Sequence, residues 1–84
     1  NIPVWCGGML ESGIGRAHNV SLACLPGFVL PGDISESQRY WAEDIVDPEF
    51  TIKDGHVQVP TGAGIGVSVL EDRVKKLTVR SQQF

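Results

Sequence analysis

Two carboxylate side chains, those of Glu11 and Asp33, each follow a short apolar stretch that ends in glycine. Glu11 comes after the pair Gly7 and Gly8, which would let a ligand approach the backbone closely. A carboxylate beside such a gap can bind a polar group or take part in proton transfer. The simpler interpretations are a β-bulge for the glycine pair, a solvated or helix-terminal charge for Glu11, and a side-chain-to-backbone turn for Asp33. The residues alone leave both interpretations open.

A hydrolase triad could be assembled on paper from Ser12, His18 and Asp33. No Gly-x-Ser-x-Gly elbow surrounds Ser12, and His18 lies within a helical pattern. A histidine on the surface or packed on the helix is therefore the simpler interpretation, and a hydrolase is a minor alternative.

The other candidate motifs favour structural roles. The glycine series at 62, 64 and 66 lacks the spacing of a dinucleotide fingerprint and the lysine of a phosphate loop, so it predicts a turn between strands. Cys6 and Cys24 lack the spacing of a zinc site. Buried free thiols are the favoured interpretation, and a disulfide is the alternative. No cluster of acidic residues marks successive strand ends, so the chain predicts no complete metal site of its own.

The elements that must position Glu11 and Asp33 form a strand–helix–strand unit. Consecutive apolar residues in 2–8 are typical of a strand buried on both faces. Residues 13–25 have helical spacing, with Ile14, Ala17, Ser21, Cys24 and Leu25 on the predicted inner face, and 28–30 is a second buried strand. Such a unit predicts parallel strands with a right-handed crossover. Both carboxylates would then lie at the edge where ligands bind in parallel α/β proteins.

The predicted helix starts rest on capping residues. Ser12 is expected to cap the first helix, and Ser35 with Gln38 fits a capping box before a short helix over 36–41. Residues 44–48 are expected to be a linker, because the hydrophobic pattern changes there.

The second half of the chain predicts a β-hairpin. Asp54-Gly55 separates the alternating runs 50–53 and 56–59, which is typical of a type I′ turn. The two-residue loop pairs Ile52 with Val57 and leaves one apolar face that must pack on something. A strand over 67–70, a helix over 71–77 and a last strand over 78–80 complete the prediction.

The composition excludes some classes of protein. The chain has 84 residues and a net charge of −3, and its basic residues are scattered, so a nucleic-acid surface is not expected. No apolar run approaches the ~20 residues of a membrane span. The apolar faces of the first strand and the hairpin need covering, which favours a piece of a longer chain. The alternative is an independent binding or structural module.

Several motifs lie in order along nearly the whole chain, in residues 5–17, 25–28, 30–33, 39–41 and 59–67. Together they resemble one family, the N-acylamino acid racemase and o-succinylbenzoate synthase group of the enolase superfamily. Ala63 departs from the family pattern, in which proline is expected at this position.

The resemblance implies an α/β fold, the C-terminal part of a modified (β/α)7β TIM-like barrel. Residues 1–47 would form the last strand–helix–strand unit and the short helix. Residues 48–84 would form the hairpin and C-terminal segment, which returns to an α+β capping domain. The partners implied are the rest of that barrel and capping domain, in a cytoplasmic enzyme that forms homo-oligomers when complete.

The chemistry implied is abstraction of the proton next to a carboxylate, with Mg²⁺ or another divalent metal. The metal ligands and two catalytic lysines would lie on earlier strands, so this chain alone is expected to be inactive. The substrate would be an N-acylamino acid or a succinylbenzoate precursor, the latter in menaquinone biosynthesis. Other members, such as dipeptide epimerases and muconate-lactonising enzymes, stay open. The implied substrate-binding residues are Gly7, Gly8, Met9, Leu10, Glu11 and Asp33, with an electrostatic role also considered for Glu11.

Overall fold

The computed structural model describes residues 2–83. Two α-helices, a 3₁₀ turn and four short strands follow one another in this range. They are α1 (Gly13–Leu22), the 3₁₀ turn (Ser37–Arg39), β1 (Val46–Asp47), β2 (Ile52–Lys53), β3 (His56–Val57), β4 (Ser68–Val69) and α2 (Glu71–Leu77).

The parallel pairing on either side of α1 is confirmed. Val4 and Phe28 form a parallel bridge, in which the Val4 N–H donates to the carbonyl oxygen of Gly27 at 2.8 Å and the Leu30 N–H to that of Val4 at 3.2 Å. Full strands over 2–8 and 28–30 do not form, and several side chains of this pair stay exposed within the described residues, although Cys6 is buried. Trp5, for example, is 54% exposed.

Helix α1 buries a different face from the one that the sequence predicts. The buried residues are Gly13, Arg16, Ala17 and Val20, which follow the i, i+3, i+4, i+7 spacing of a helix. Of the predicted inner face, Ala17 is fully buried, whereas Leu25 is 54% exposed. The helix ends at Leu22 rather than at residue 25, because i→i−3 hydrogen bonds tighten the last turn ahead of proline. Both cysteines are free, but only Cys6 is buried, so a buried Cys24 is wrong.

The predicted linker over 44–48 is wrong. Asp44 is 1% exposed and Val46 is fully buried. β1 pairs antiparallel with β4, with Val46 opposite Val69, and the Leu70 N–H donates to the carbonyl oxygen of Ile45 at 2.7 Å. The apolar pair after Asp44 thus forms a short buried strand.

The core is small and lies between α1 and the segment that follows the 3₁₀ turn. Its buried members are Ala17, Val20, Val46 and Phe50. Six partly buried side chains pack against it: Ile14, Ile34, Ile45, Val57, Ile65 and Val67. The core therefore contains residues from both sides of residue 47, where the sequence predicts the boundary between a barrel part and a capping-domain part. That assignment of the two parts stays a prediction.

The β-hairpin forms with the predicted register and turn. Ile52 pairs with Val57 and Lys53 with His56. Asp54 (φ 52°) and Gly55 (φ 76°) both lie in the left-handed region, as a type I′ turn requires. The ladder covers only these two pairs, and Ile52 stays 43% exposed.

The C-terminal part agrees with the prediction except at its end. α2 has the predicted bounds, with acidic residues in its first turn and lysines in its last, which suits the helix dipole. The glycine series forms a turn in which the Gly66 N–H donates to the carbonyl oxygen of Ala63 at 3.2 Å. The predicted strand over 78–80 is wrong, because these residues pair with no strand and Val79 is 99% exposed. Neither helix of the described part could span a membrane.

Candidate functional site

The two predicted regions of the site lie side by side. The Gly7–Glu11 loop (residues 7 to 11) follows the first parallel segment, and Asp33 follows the second. The Asp33 N–H donates to the carbonyl oxygen of Cys6 at 2.8 Å. Gly8 packs so closely on the backbone of Asp33 that a side chain at Gly8 would collide with the Asp33 carbonyl oxygen. The structure thus brings these candidate residues together, and their role in binding stays a prediction.

The Gly7–Glu11 loop presents apolar side chains outward and folds its carboxylate back onto its own backbone. Met9 is 79% exposed and Leu10 is 67% exposed. The Glu11 carboxylate accepts the N–H of Met9 through Oε2 at 2.7 Å and the side-chain amide of Asn19 through Oε1 at 2.8 Å. The charge of Glu11 therefore holds its own loop closed and ties that loop to α1.

The surroundings of Glu11 favour its ionised form. Burial by itself raises the pKa of Glu11, but the hydrogen bonds that its carboxylate accepts from the N–H groups of Glu11 and Met9 lower it. The amide of Asn19 and the positive charge of Arg16 lower the pKa further. The net result is a pKa below the ordinary value of 4.5.

A buried ionic network lies behind the loop. The Arg16 side chain is fully buried, and its terminal nitrogen lies 3.7 Å from Oδ2 of Asp44. Asp44 also accepts the N–H groups of Gly13 (2.8 Å) and Ile45 (2.7 Å) through Oδ1 and the hydroxyl of Ser37 (2.7 Å) through Oδ2. A carboxylate that accepts three hydrogen bonds is held in one position.

This network replaces the predicted capping residues. Ser12 lies at the N-cap position of α1, but its side chain makes no capping hydrogen bond, and Asp44 caps the helix instead. The capping box of Ser35 and Gln38 is wrong too, since the 3₁₀ turn starts at Ser37. The Ser37 hydroxyl contacts Asp44 and accepts the N–H of Phe50 at 3.0 Å.

Trp41 and Arg73 extend the network on its outer side. The Trp41 indole Nε1–H donates to the carbonyl oxygen of Glu11 at 3.1 Å. Arg73 donates to the carbonyl oxygen of Asp44 at 2.8 Å and lies 3.4 Å from the Glu43 carboxylate. A cleft of about 470 Å³ opens between residues 41–45 and α2. Its lining residues are Ser12, Trp41, Glu43, Asp44, Ile45, Val74, Leu77 and Thr78.

Sequence reasoning missed Arg16, Ser37, Trp41 and Asp44 as parts of this site. The signal that could have found them is the helical spacing of Gly13, Arg16, Ala17 and Val20, which puts a cation on the buried face. A buried cation needs a carboxylate partner, and Asp44 directly precedes an apolar pair.

The hydrolase alternative has no support in the geometry. His18 is exposed, and its Nδ1 bonds to the carbonyl oxygen of Ile14 in its own helix at 2.8 Å. Within residues 2–83, no hydrogen bond joins His18 to Ser12 or to Asp33.

The described residues do not supply a metal site. No group of three or more His, Cys, Asp or Glu side chains in 2–83 is arranged to hold a metal ion. The carboxylates of Glu11 and Asp44 already accept hydrogen bonds from donors of the protein itself.

Comparison with known proteins identifies the family. The family described as "Enolase C-terminal domain-like" matches residues 1–73. An N-succinylamino acid racemase of Thermus thermophilus is 55% identical over 78 residues, which are 93% of this chain and 21% of the relative. An o-succinylbenzoate synthase of Bacillus subtilis is 51% identical over 84 residues, which are 100% of this chain and 23% of the relative.

Solved structures of related proteins have the same fold as this chain. A member of the enolase superfamily from Listeria innocua superposes with a TM-score of 0.82 at 57% identity, over 87% of this chain and 20% of that one. A muconate lactonizing enzyme from Klebsiella pneumoniae gives a TM-score of 0.82 at 25% identity, over 94% of this chain and 22% of that one. The chain spans about a fifth of the length of the relatives it matches. It has the α/β fold of these proteins, and it belongs to the enolase C-terminal domain-like family of the enolase superfamily.

Proposed function

We propose that the protein carrying this chain is a divalent-metal-dependent racemase of N-acylamino acids, an o-succinylbenzoate synthase, or both. The reaction is abstraction of the proton next to a carboxylate. The observation that carries the proposal is the level of identity, 55% to an N-succinylamino acid racemase and 51% to an o-succinylbenzoate synthase, across nearly the whole chain. The names of both relatives refer to compounds that carry a succinyl group.

The role proposed for this chain is to line the pocket for the acyl or succinyl part of the substrate. Met9 and Leu10 offer exposed apolar surface, and methionine adapts well to ligands of different shape. Gly7 leaves its backbone accessible, and Asp33 lies beside the loop. The hydrogen-bonded carboxylate of Glu11 fixes the shape of the loop, and its negative charge gives this residue an electrostatic role.

The metal and the catalytic lysines belong, in this proposal, to earlier barrel strands outside this chain. Residues 2–83 hold no cluster of metal ligands, so the isolated chain is expected to be inactive. The exposed apolar side chains of Ile2, Trp5 and Val29 would be covered by the rest of the barrel and the capping domain. A cytoplasmic location and homo-oligomers of the complete enzyme belong to the same proposal.

The test uses the intact protein with Mg²⁺ and an N-succinylamino acid in deuterium oxide. Exchange of the α-proton for deuterium, followed by NMR, together with loss of optical rotation, is the expected result of racemase activity. Formation of o-succinylbenzoate from a succinylbenzoate-type substrate is assayed in parallel. Chelation should abolish either reaction, and Mg²⁺ should restore it. Absence of both reactions in the metal-loaded intact protein would refute the proposal.

A second candidate is another muconate-lactonising-type activity, such as dipeptide epimerisation. The likeness to the Klebsiella muconate lactonizing enzyme supports this second candidate, because that enzyme has the same fold as this chain although only 25% of the residues are identical. Dipeptide and muconate substrates in the same assay separate it from the leading proposal.

A further inference from the structure

We propose that Trp41 and Asp44 are positioning residues, which hold the Gly7–Glu11 loop in its shape from a segment outside the strand–helix–strand unit. The inference rests on the proposed function in assigning that loop to substrate binding. Its structural half, the bracing of the loop, is independent of any activity.

Two side chains of the segment 41–44 form hydrogen bonds with the backbone at the junction between the loop and α1. The Trp41 indole donates to the carbonyl oxygen of Glu11 at 3.1 Å. The Asp44 carboxylate accepts the N–H of Gly13 at 2.8 Å. The two contacts use a carbonyl oxygen and an N–H only two residues apart, so together they fix the orientation of this stretch of backbone.

The internal bonds of the loop pass this restraint on to the exposed residues. Once the backbone at Glu11 is fixed, its carboxylate reaches the N–H of Met9 at 2.7 Å and the amide of Asn19 at 2.8 Å. The loop contains two glycines, and ordering glycine costs more conformational entropy than ordering any other residue. Removal of one brace should therefore let Met9 and Leu10 sample more conformations.

Asp44 is itself rigid enough to act as a brace. It receives the Ser37 hydroxyl at 2.7 Å, faces buried Arg16 at 3.7 Å, and precedes a strand whose Val46 is fully buried. The backbone of Gly13 approaches Asp44 closely, and this position has no room for a side chain. A Cβ at Gly13 would collide with Val46 and lie 2.9 Å from the Asp44 carboxylate.

The first test compares Trp41→Phe with Tyr40→Phe in the intact protein. Trp41→Phe removes the N–H donor and keeps an aromatic ring. Tyr40→Phe is the matched control, because it removes a polar hydrogen from the neighbouring residue, whose side chain makes no hydrogen bond within the described part of the chain. The readouts are hydrogen–deuterium exchange of the segment 7–13 without substrate, and KM and kcat with Mg²⁺ and an N-succinylamino acid.

We expect faster exchange confined to 7–13 in Trp41→Phe, with KM raised about 3- to 10-fold and kcat changed less than about twofold. Tyr40→Phe should match the wild type in both readouts. Unchanged exchange in Trp41→Phe would overturn the proposal. Exchange that rises throughout the protein with an unchanged KM would also overturn it, because the role would then be only structural. If the wild type has no activity, the proposed function fails, and the exchange data alone decide whether the brace exists.

The second test addresses Asp44 without leaving a buried charge. Arg16→Met/Asp44→Asn removes the ion pair but keeps an oxygen that can accept the Gly13 N–H, whereas Arg16→Met/Asp44→Leu removes both. A KM higher by about 3-fold or more in the Leu variant than in the Asn variant supports the brace. Equal KM values and equal exchange of 7–13 in the two variants would overturn it.

Discussion

The carboxylate of Asp44 caps helix α1 from thirty-one residues further along the chain, with its Oδ1 accepting the Gly13 N–H at 2.8 Å. The same side chain lies 3.7 Å from the fully buried guanidinium of Arg16 and is its counter-ion. One carboxylate therefore serves a helix end, a buried cation and the 3₁₀ turn at once.

Loss of Asp44 alone should destabilise the protein strongly. Asp44→Leu leaves the Arg16 guanidinium buried without its counter-ion, which costs about 3–5 kcal/mol of the free energy of unfolding. Glu43→Gln is the matched control, because that carboxylate is 65% exposed and its pair with Arg73 is worth about 1 kcal/mol or less. Urea denaturation of the intact protein measures both, and equal midpoints for the two variants would contradict this account of the network.

The two adjacent glycines of the loop should differ in their tolerance of a methyl group. Gly8→Ala places a Cβ against the Asp33 carbonyl oxygen, and because that atom is backbone, the two segments must move apart. We expect a loss of about 1–3 kcal/mol in the free energy of unfolding. Gly7→Ala meets only the ring of Trp5 at 3.8 Å and should change stability by less than about 0.5 kcal/mol. Thermal unfolding distinguishes them, and the reverse order would refute the close approach of Gly8 to Asp33.

Acid should loosen the Gly7–Glu11 loop at a pH below the ordinary pKa of a glutamate side chain. The pKa of Glu11 in the folded protein lies below 4.5, so its stabilising contribution is complete above that pH and is lost as the pH falls through the folded pKa. NMR titration of the Glu11 side-chain carboxyl carbon should give a midpoint below 4.5. Asn19→Ala removes one donor and should move the midpoint upward, and a midpoint at or above 4.5 in the wild type would contradict the geometry.

Substitutions at Gly55 in the hairpin turn should lower stability through backbone strain and not through steric overlap. Gly55 has φ 76°, and a Cβ at this position would meet no atom within 4 Å, so Gly55→Ala costs only the left-handed strain, about 1–2 kcal/mol. Gly55→Asn should cost less, because asparagine tolerates this region better. Chemical denaturation of the two variants tests the order, and equal losses would argue against a type I′ turn.

The features predicted correctly from the sequence are those set by neighbours along the chain. The Asp54-Gly55 turn, its register and α2 depend on local turn chemistry, helix periodicity and charge at helix ends. The parallel pairing near Val4 and Phe28 followed from the order strand, helix, strand.

The missed features depend on contacts between distant residues. Asp44 looks like part of a polar linker until Gly13 and Arg16 are placed beside it, and no local pattern joins them. Ser12 has the right type for a cap, but Asp44 takes that role because its carboxylate is already fixed there by Ser37. The family resemblance supplied the candidate loop, and the structure adds what holds that loop in place.

The long-range cap also constrains how genes of this family could be recombined. A chimera with a crossover between Arg16 and Asp44 would take Arg16 from one parent and its partner Asp44 from the other. The surroundings of each residue would then come from different proteins. Crossovers placed after Phe50 would keep the helix, its cap and the core residues Ala17, Val20 and Val46 from a single parent. Exchange of substrate preference between relatives should therefore succeed more often when the loop travels together with residues 37–50 than when it is grafted alone.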